Sequence, residues 1–148
     1  MRLRSVSEAD NYFRNSVADI EAEGLVGCEK LLQSDDVRIV GAFENNVLVG
    51  IGGITRETRD KLSHKALLWG MFVADEAVGR GIGHAIVVAL ITEARGFVRS
   101  LHLTLVANND RARGLYERCG FSAYGCDPQS VRQGDLYLDE LLMWLPLK

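Results

Sequence analysis

The sequence predicts an α/β (α+β) fold. One domain over residues 1–148 is expected, with a mixed, mostly antiparallel twisted sheet of six to seven strands and about four helices on its two faces. Three observations lead there. Two apolar stretches, 37–43 and 47–55, flank the polar turn Glu44-Asn45-Asn46 and read as a hairpin. A strand–helix–strand unit between Lys65 and Val106 implies a parallel pair joined by a right-handed crossover. The 148 residues, 47% hydrophobic and 25% charged, are enough to bury a core between two layers of helices.

The elements follow in order. Met1 to Arg4 reads as a short first strand. Ser5 or Ser7 can cap a helix over roughly Glu8 to Glu23, with Ala9, Tyr12, Phe13, Val17 and Ile20 at helical spacing and Gly24 as its stop. Cys28 to Gln33 reads as a further helical turn. After the hairpin, Arg56 to Ser63 is a polar loop and Lys65 to Val73 a strand, inside which Gly70 marks a bulge or a close backbone approach. The next helix runs from about Gly81 to Arg95, with Ile82, Ile86, Leu90 and Val87, Ile91 at steps of four and Gly96 at its end. Leu101 to Val106 is a strand, Asn109 or Asn108 opens a helix through about Cys119, and Gly120 stops it. Phe121 to Tyr124 is a short strand, 127–134 a loop containing Pro128, and Asp135 to Leu145 the last strand.

Composition excludes several classes. The net charge is −3 and no basic run appears, so a nucleic-acid partner is not expected. No apolar run approaches the ~18 residues of a membrane span, and the N-terminus lacks the apolar stretch of a signal peptide. The three cysteines, Cys28, Cys119 and Cys126, form no C-x-x-C pair; a reducing, cytoplasmic compartment and no metal site are expected.

The segment Val73 to Ala85 carries the first chemical signal. Gly79, Gly81 and Gly83 precede an amphipathic helix. Glycines let the backbone bend sharply, and the first helical amides point outward with the positive end of the dipole, so an anion is favoured there. A P-loop is excluded because His84 stands where lysine is required. The G-x-G-x-G spacing also departs from the dinucleotide G-x-G-x-x-G. A coenzyme A pyrophosphate loop is the third reading.

A second segment favours that reading. Asn109-Asp110-Arg111-Ala112-Arg113-Gly114-Leu115-Tyr116-Glu117-Arg118-Cys119-Gly120-Phe121 resembles the N-x-x-A-x-x-L-Y-x-x-x-G-F signature of the GNAT superfamily of N-acetyltransferases. Val78 to Gly83 resembles that superfamily's Q/R-x-x-G-x-G/A motif, with Val78 in place of the usual Gln or Arg. The resemblance covers about Leu67 to Tyr124 and implies a splayed central parallel pair, with acetyl-CoA in the cleft and no metal.

By that resemblance Met71, Phe72 and Val73 pair with the pantetheine arm. The amides of Val78, Gly79, Arg80, Gly81, Ile82, Gly83 and His84 hold the pyrophosphate, and Asn109 bonds the arm or shapes its channel. Amides near Met71 stabilise an oxyanion. Tyr116 is the general acid that protonates the departing thiolate. Arg80 is the candidate to replace the charge missing at Val78, and Arg111 or Arg113 could reach a 3′-phosphate.

Many members carry a glutamate where Trp69 stands here. The candidates for the base are therefore Glu57, His64, Asp139 and Glu140, with Glu140 favoured because the last strand often borders the acceptor pocket. Trp69 reads first as sheet packing, with an aromatic wall for the acceptor as the alternative; His102 reads as a core histidine and Cys119 as an inert apolar residue. The expected activity is direct transfer of an acetyl group to a primary amine of a small molecule or peptide, by a monomer or homodimer. The alternatives are an acyl-CoA sensor without turnover and a nucleotide-binding domain of another class.

Overall fold

The structure, a computed structural model, describes residues 1–8 and 13–148. Helix α1 (Arg2–Glu8) and helix α2 (Val17–Gln33) come first. Strands β1 (Val37–Glu44), β2 (Val47–Arg56) and β3 (Lys65–Val73) follow, then α3 (Ile82–Arg95), β4 (Ser100–Val106), α4 (Asp110–Arg118), β5 (Ser122–Gln133) and β6 (Leu136–Pro146). The six strands form one sheet in the order β1-β2-β3-β4-β6-β5, antiparallel throughout except for the parallel pair β3–β4.

The N-terminal region differs from expectation. Residues 2–8 are helix, not strand; the alternation Arg2-Leu3-Arg4 is too short to separate a period of 2 from one of 3.6. Burial of Val6 and the i,i+4 pair Arg4–Glu8 at 2.6 Å favour the helix. The expected helix over 8–23 is replaced by α2, which starts later because Ser16 caps it: the Asp19 amide donates to Ser16 Oγ at 3.2 Å, and the Ser16 amide to Asp19 Oδ2 at 2.7 Å. Ala9 and Tyr12 lie outside the described residues. Gly24, at φ +61°, kinks α2 into two segments, the second holding Cys28 to Gln33.

The hairpin turns on Asn45 and Asn46, both at positive φ (47° and 64°), the geometry of a type I′ turn. Further on, the expected loop over 127–134 is mostly strand: β5 runs to Gln133, with register shifts between Ala123 and Gly125 and between Asp127 and Val131. Pro128 is tolerated there because β5 is an edge strand.

The two sheet faces are distinct. Ile54, Leu68, Leu101, Leu103 and Leu105 pack with Ile86, Val87 and Leu90 of α3 and with Tyr116 of α4. A Cβ on Gly50 or Gly52 would meet Ile86, so glycine lets α3 lie close against β2. On the opposite face Trp69 lies beside Gly53, and Arg2 of α1 sits 5.8 Å over the indole.

The central pair then separates. β3 and β4 are in register only over Lys65↔Ser100, Ala66↔Leu101 and Leu67↔His102, although β3 continues to Val73 and β4 to Val106. Each stays paired on its outer side, as far as Gly50↔Val73 and Val106↔Glu140. Gly70, at φ +65°, adds the residue that shifts the β2–β3 register. A wedge therefore opens through the middle of the sheet.

Candidate active site

A cavity of about 1200 Å³ occupies this wedge. It passes from one sheet face to the other. On the α3/α4 side it is lined by Ile82, Gly83, His84, Asn109, Leu115 and Tyr116; on the α1/α2 side by Arg2, Arg14, Trp69, Thr104 and Glu140. Met71, Phe72 and Val73 form the β3 edge between them. The Ala74 amide donates to Val49 O of β2 at 2.9 Å. By strand alternation the backbone groups of Val73 then face the wedge, free to pair with an extended ligand.

The glycine loop stands at one mouth. After β3 a single 3₁₀ turn, Asp75–Ala77, leads to it, anchored by the buried Ala74 and Ala77. Gly79 (φ 82°) and Gly81 (φ 78°) adopt left-handed conformations that exclude most side chains. The amides of Gly79, Arg80, Gly81, Ile82, Gly83 and His84 donate to no acceptor among the described residues, and Ala85 is the first to bond back, to Gly81 O at 3.0 Å. The Val78 amide differs from expectation: it closes the 3₁₀ turn onto Asp75 O at 3.3 Å and is not available to an anion.

Arg80 also departs from expectation as the substitute charge. Its guanidinium bonds Glu44 Oε2 at 3.0 Å and Glu76 O at 2.9 Å, and it does not line the cavity. Glu76 is in turn held by Arg4, at 3.0 and 2.7 Å. The Arg4 hydrogen bonds hold its carboxyl down at about 2. These ion pairs tie α1 and the hairpin to the base of the loop. The cations that do line the cavity are Arg2, Arg14, Arg111 and Arg118.

Asn109 is the N-cap of α4: its Oδ1 accepts from the Ala112 amide at 3.1 Å, which fixes the helix start at the cavity wall. Seven residues on, Tyr116 lines the cavity with only 7% of its surface exposed, its ring edge-on to Phe121 at 5.7 Å. Burial pushes its phenol well above the ordinary range.

Of the four expected bases, only Glu140 reaches the cavity. Glu57 pairs with Arg59 at 3.2 Å, Asp139 accepts from the Gln129 amide at 2.9 Å, and His64 is exposed; none of the three lines it. Glu140 is 2% exposed. Arg14 Nε donates to both its oxygens, at 2.9 and 3.0 Å, Arg14 Nη2 donates to Oε2, and Ser130 Oγ donates to Oε2 at 2.6 Å. Burial opposes its ionisation, but hydrogen bonds from Arg14 and Ser130, the charge of Arg14 and a bond from Thr104 outweigh burial and hold the carboxyl below its usual range.

Trp69, read first as packing, is a wall of the cavity, with its Nε1 donating to Thr55 Oγ1 at 2.8 Å. His102 lies away from the cavity, bonded to Ser100 Oγ at 3.1 Å, and burial followed by the charges of Lys65 and His64 lowers its pKa. Arg2, Arg14 and Thr104 escaped sequence reasoning. No spacing joins Arg14 to a carboxylate 126 residues away. Among the described residues, no group of three or more His, Cys, Asp or Glu is placed to hold a metal ion.

Comparison with known proteins agrees with this geometry. The family model described as "Acetyltransferase (GNAT) family" matches residues 6–121. No curated protein matches. Among solved structures, a GNAT-family acetyltransferase from Streptococcus pneumoniae is 26% identical, with a TM-score of 0.85 over 99% of this chain and 89% of that one. The ribosomal-protein-alanine N-acetyltransferase of Brucella melitensis gives 24% identity and a TM-score of 0.83, over 98% and 91% of the two chains. A GNAT-superfamily phosphinothricin acetyltransferase from Sinorhizobium meliloti, in complex with acetyl-CoA, gives 21% and 0.78, over 99% and 83%. With a family match across most of its length and a sheet splayed between β3 and β4, the chain belongs to the GNAT family of N-acetyltransferases.

Proposed function

We propose that the protein transfers the acetyl group of acetyl-CoA directly to a primary amine of a small molecule or peptide. The observation that carries this reading is the continuous cavity, lined both by five residues with free amides, Gly79 and Gly81 to His84, and by the buried phenol of Tyr116. The donor fits the residues present. The amides of Gly79 to His84 suit a pyrophosphate, and the free edge of Val73 suits an amide-bearing arm. The complex reported for the Sinorhizobium meliloti enzyme supports the same ligand.

When bound, acetyl-CoA supplies an acetyl group activated as a thioester. Tyr116 holds a proton on its Oη, kept there by burial, for delivery to the leaving sulfur, and the proton that the amine nitrogen loses on acylation would return the phenol to its neutral form. Trp69, Phe72 and Leu105 give the cavity an apolar wall. Glu140 holds charge rather than accepts a proton, since Arg14, Ser130 and Thr104 already occupy its oxygens. The unpaired Cys28, Cys119 and Cys126 support a reducing, cytoplasmic setting.

A turnover screen with spermidine, kanamycin and an alanine-initiated peptide, read by release of free thiol, tests the proposal. Acetylation of at least one amine is expected, with a loss in Tyr116→Phe. CoA binding without turnover of any amine would instead favour the sensor reading, and no CoA binding at millimolar levels would end both.

A further inference from the structure

We infer that Glu140 is a positioning residue: its buried carboxylate clasps Arg14 and so holds residues 13–15 in place as the wall of the acceptor end of the cavity. This rests on the acetyltransferase reading and deepens it. Glu140 is the only charged side chain buried among the described residues. It gathers donors from three separate elements: Arg14 between α1 and α2, Thr104 of β4 and Ser130 of β5.

Stability alone is a poor reason for this arrangement. Desolvating a carboxylate offsets much of what its partners return, and an apolar side chain of similar volume often serves as well. What the clasp fixes is geometry. Phe13, Arg14 and Asn15 all line the cavity beside Trp69 and Thr104. Among the described residues, the Arg14–Glu140 pair is the one hydrogen-bonded tie between residues 13–15 and the sheet. Arg14 is itself 56% exposed, so the segment bearing it has little burial of its own to hold it. The donor's end, at Gly79 to His84, is built from other residues and does not depend on this tie.

The full-length protein and the variants Glu140→Gln, Arg14→Ala and Arg14→Lys test the inference. In Glu140→Gln and Arg14→Ala, amide hydrogen exchange over residues 13–20 is expected to quicken at least tenfold, with α3 and β4 unchanged. Acetyl-CoA affinity by calorimetry should stay within threefold. For whichever of spermidine, kanamycin and the alanine-initiated peptide the wild type acetylates, KM for the amine should rise about tenfold while kcat stays within threefold. Arg14→Lys, which keeps the charge, should restore most of both effects.

Exchange that quickens evenly over the whole chain would overturn the inference, because Glu140 would then only support the core. A collapse of kcat in Glu140→Gln at unchanged amine KM would overturn it too, by making Glu140 the base. If no amine is acetylated, the proposed reaction fails, but the exchange pattern still decides whether Glu140 holds residues 13–15.

Discussion

Burial disfavours ionisation of both Tyr116 and Glu140, yet only Tyr116 ends above its ordinary value. Among the described residues no donor or cation offsets burial at its phenol, whereas Glu140 has Arg14, Ser130 and Thr104. Tyr116 therefore stays protonated above the ordinary tyrosine value of about 10. Two outcomes are expected. Tyr116→Phe should lower kcat by about 10²-fold, at the lower end for a positioned acid, with acetyl-CoA affinity unchanged by calorimetry. The wild-type pH–rate profile should show no basic limb belonging to Tyr116 below about pH 10; a limb near pH 8.5 that disappears in Tyr116→Phe would refute the buried-acid assignment. For Glu140 the folded pKa is depressed. Its stabilisation is fully present above the unfolded value of about 4.3 and is lost as pH falls through the lower folded value. Urea unfolding at pH 7, 5 and 3 should show Glu140→Gln losing less stability on acidification than the wild type. Equal slopes would contradict the assignment. Tyr116 was legible in the sequence because its spacing to Asn109 and Gly120-Phe121 is local. Arg14 and Thr104 were not, since they reach Glu140 only when distant segments fold together.

Among the elements, the loop between β3 and α3 assigns its three glycines different work. Gly79 and Gly81 are needed for conformation, as both have positive φ and open space where a Cβ would go. Gly83 is helical, and an added Cβ would make ordinary contacts, at 3.4 Å to Leu115 and 3.6 Å to Val73. Its value lies in the close approach it leaves to a ligand. Gly81→Ala is thus expected to cost about 1–2 kcal/mol of stability from left-handed strain. Gly83→Ala should keep wild-type stability in thermal melts while weakening acetyl-CoA binding about tenfold, roughly 1.4 kcal/mol. Equal affinity in Gly83→Ala and wild type would mean the phosphates lie elsewhere. The sequence marked this loop because turn chemistry is local. It missed β5 beyond Tyr124 for the opposite reason: Pro128 and Gln129 read as loop, and only pairing with β6 makes 131–133 a strand.

At the scale of the whole molecule, the cavity exists because β3 and β4 part after three paired residues while their outer partners continue. A ligand that fills the wedge bridges the two halves of the sheet and binds only the folded chain. At 100 times its Kd, acetyl-CoA should stabilise by about 2.7 kcal/mol. For a chain of this size that raises Tm by roughly 5–10 °C, at about 2–4 °C per kcal/mol. A melt unchanged by acetyl-CoA would argue against occupancy of the wedge. By itself the sequence determined the hairpin, the crossover unit, the glycine loop and a helix start at Asn108 or Asn109, and through the family resemblance it marked Tyr116. Each rests on patterns within single elements or between neighbouring ones along the chain. Only the tertiary structure decided that residues 2–8 are helix, that Arg80 turns away to Glu44 and Glu76, and that Trp69 lines the cavity. It also brought Arg14 to Glu140 across 126 residues. Long-range pairs of this kind leave no periodic trace in the chain, because their spacing is set by how the sheet closes.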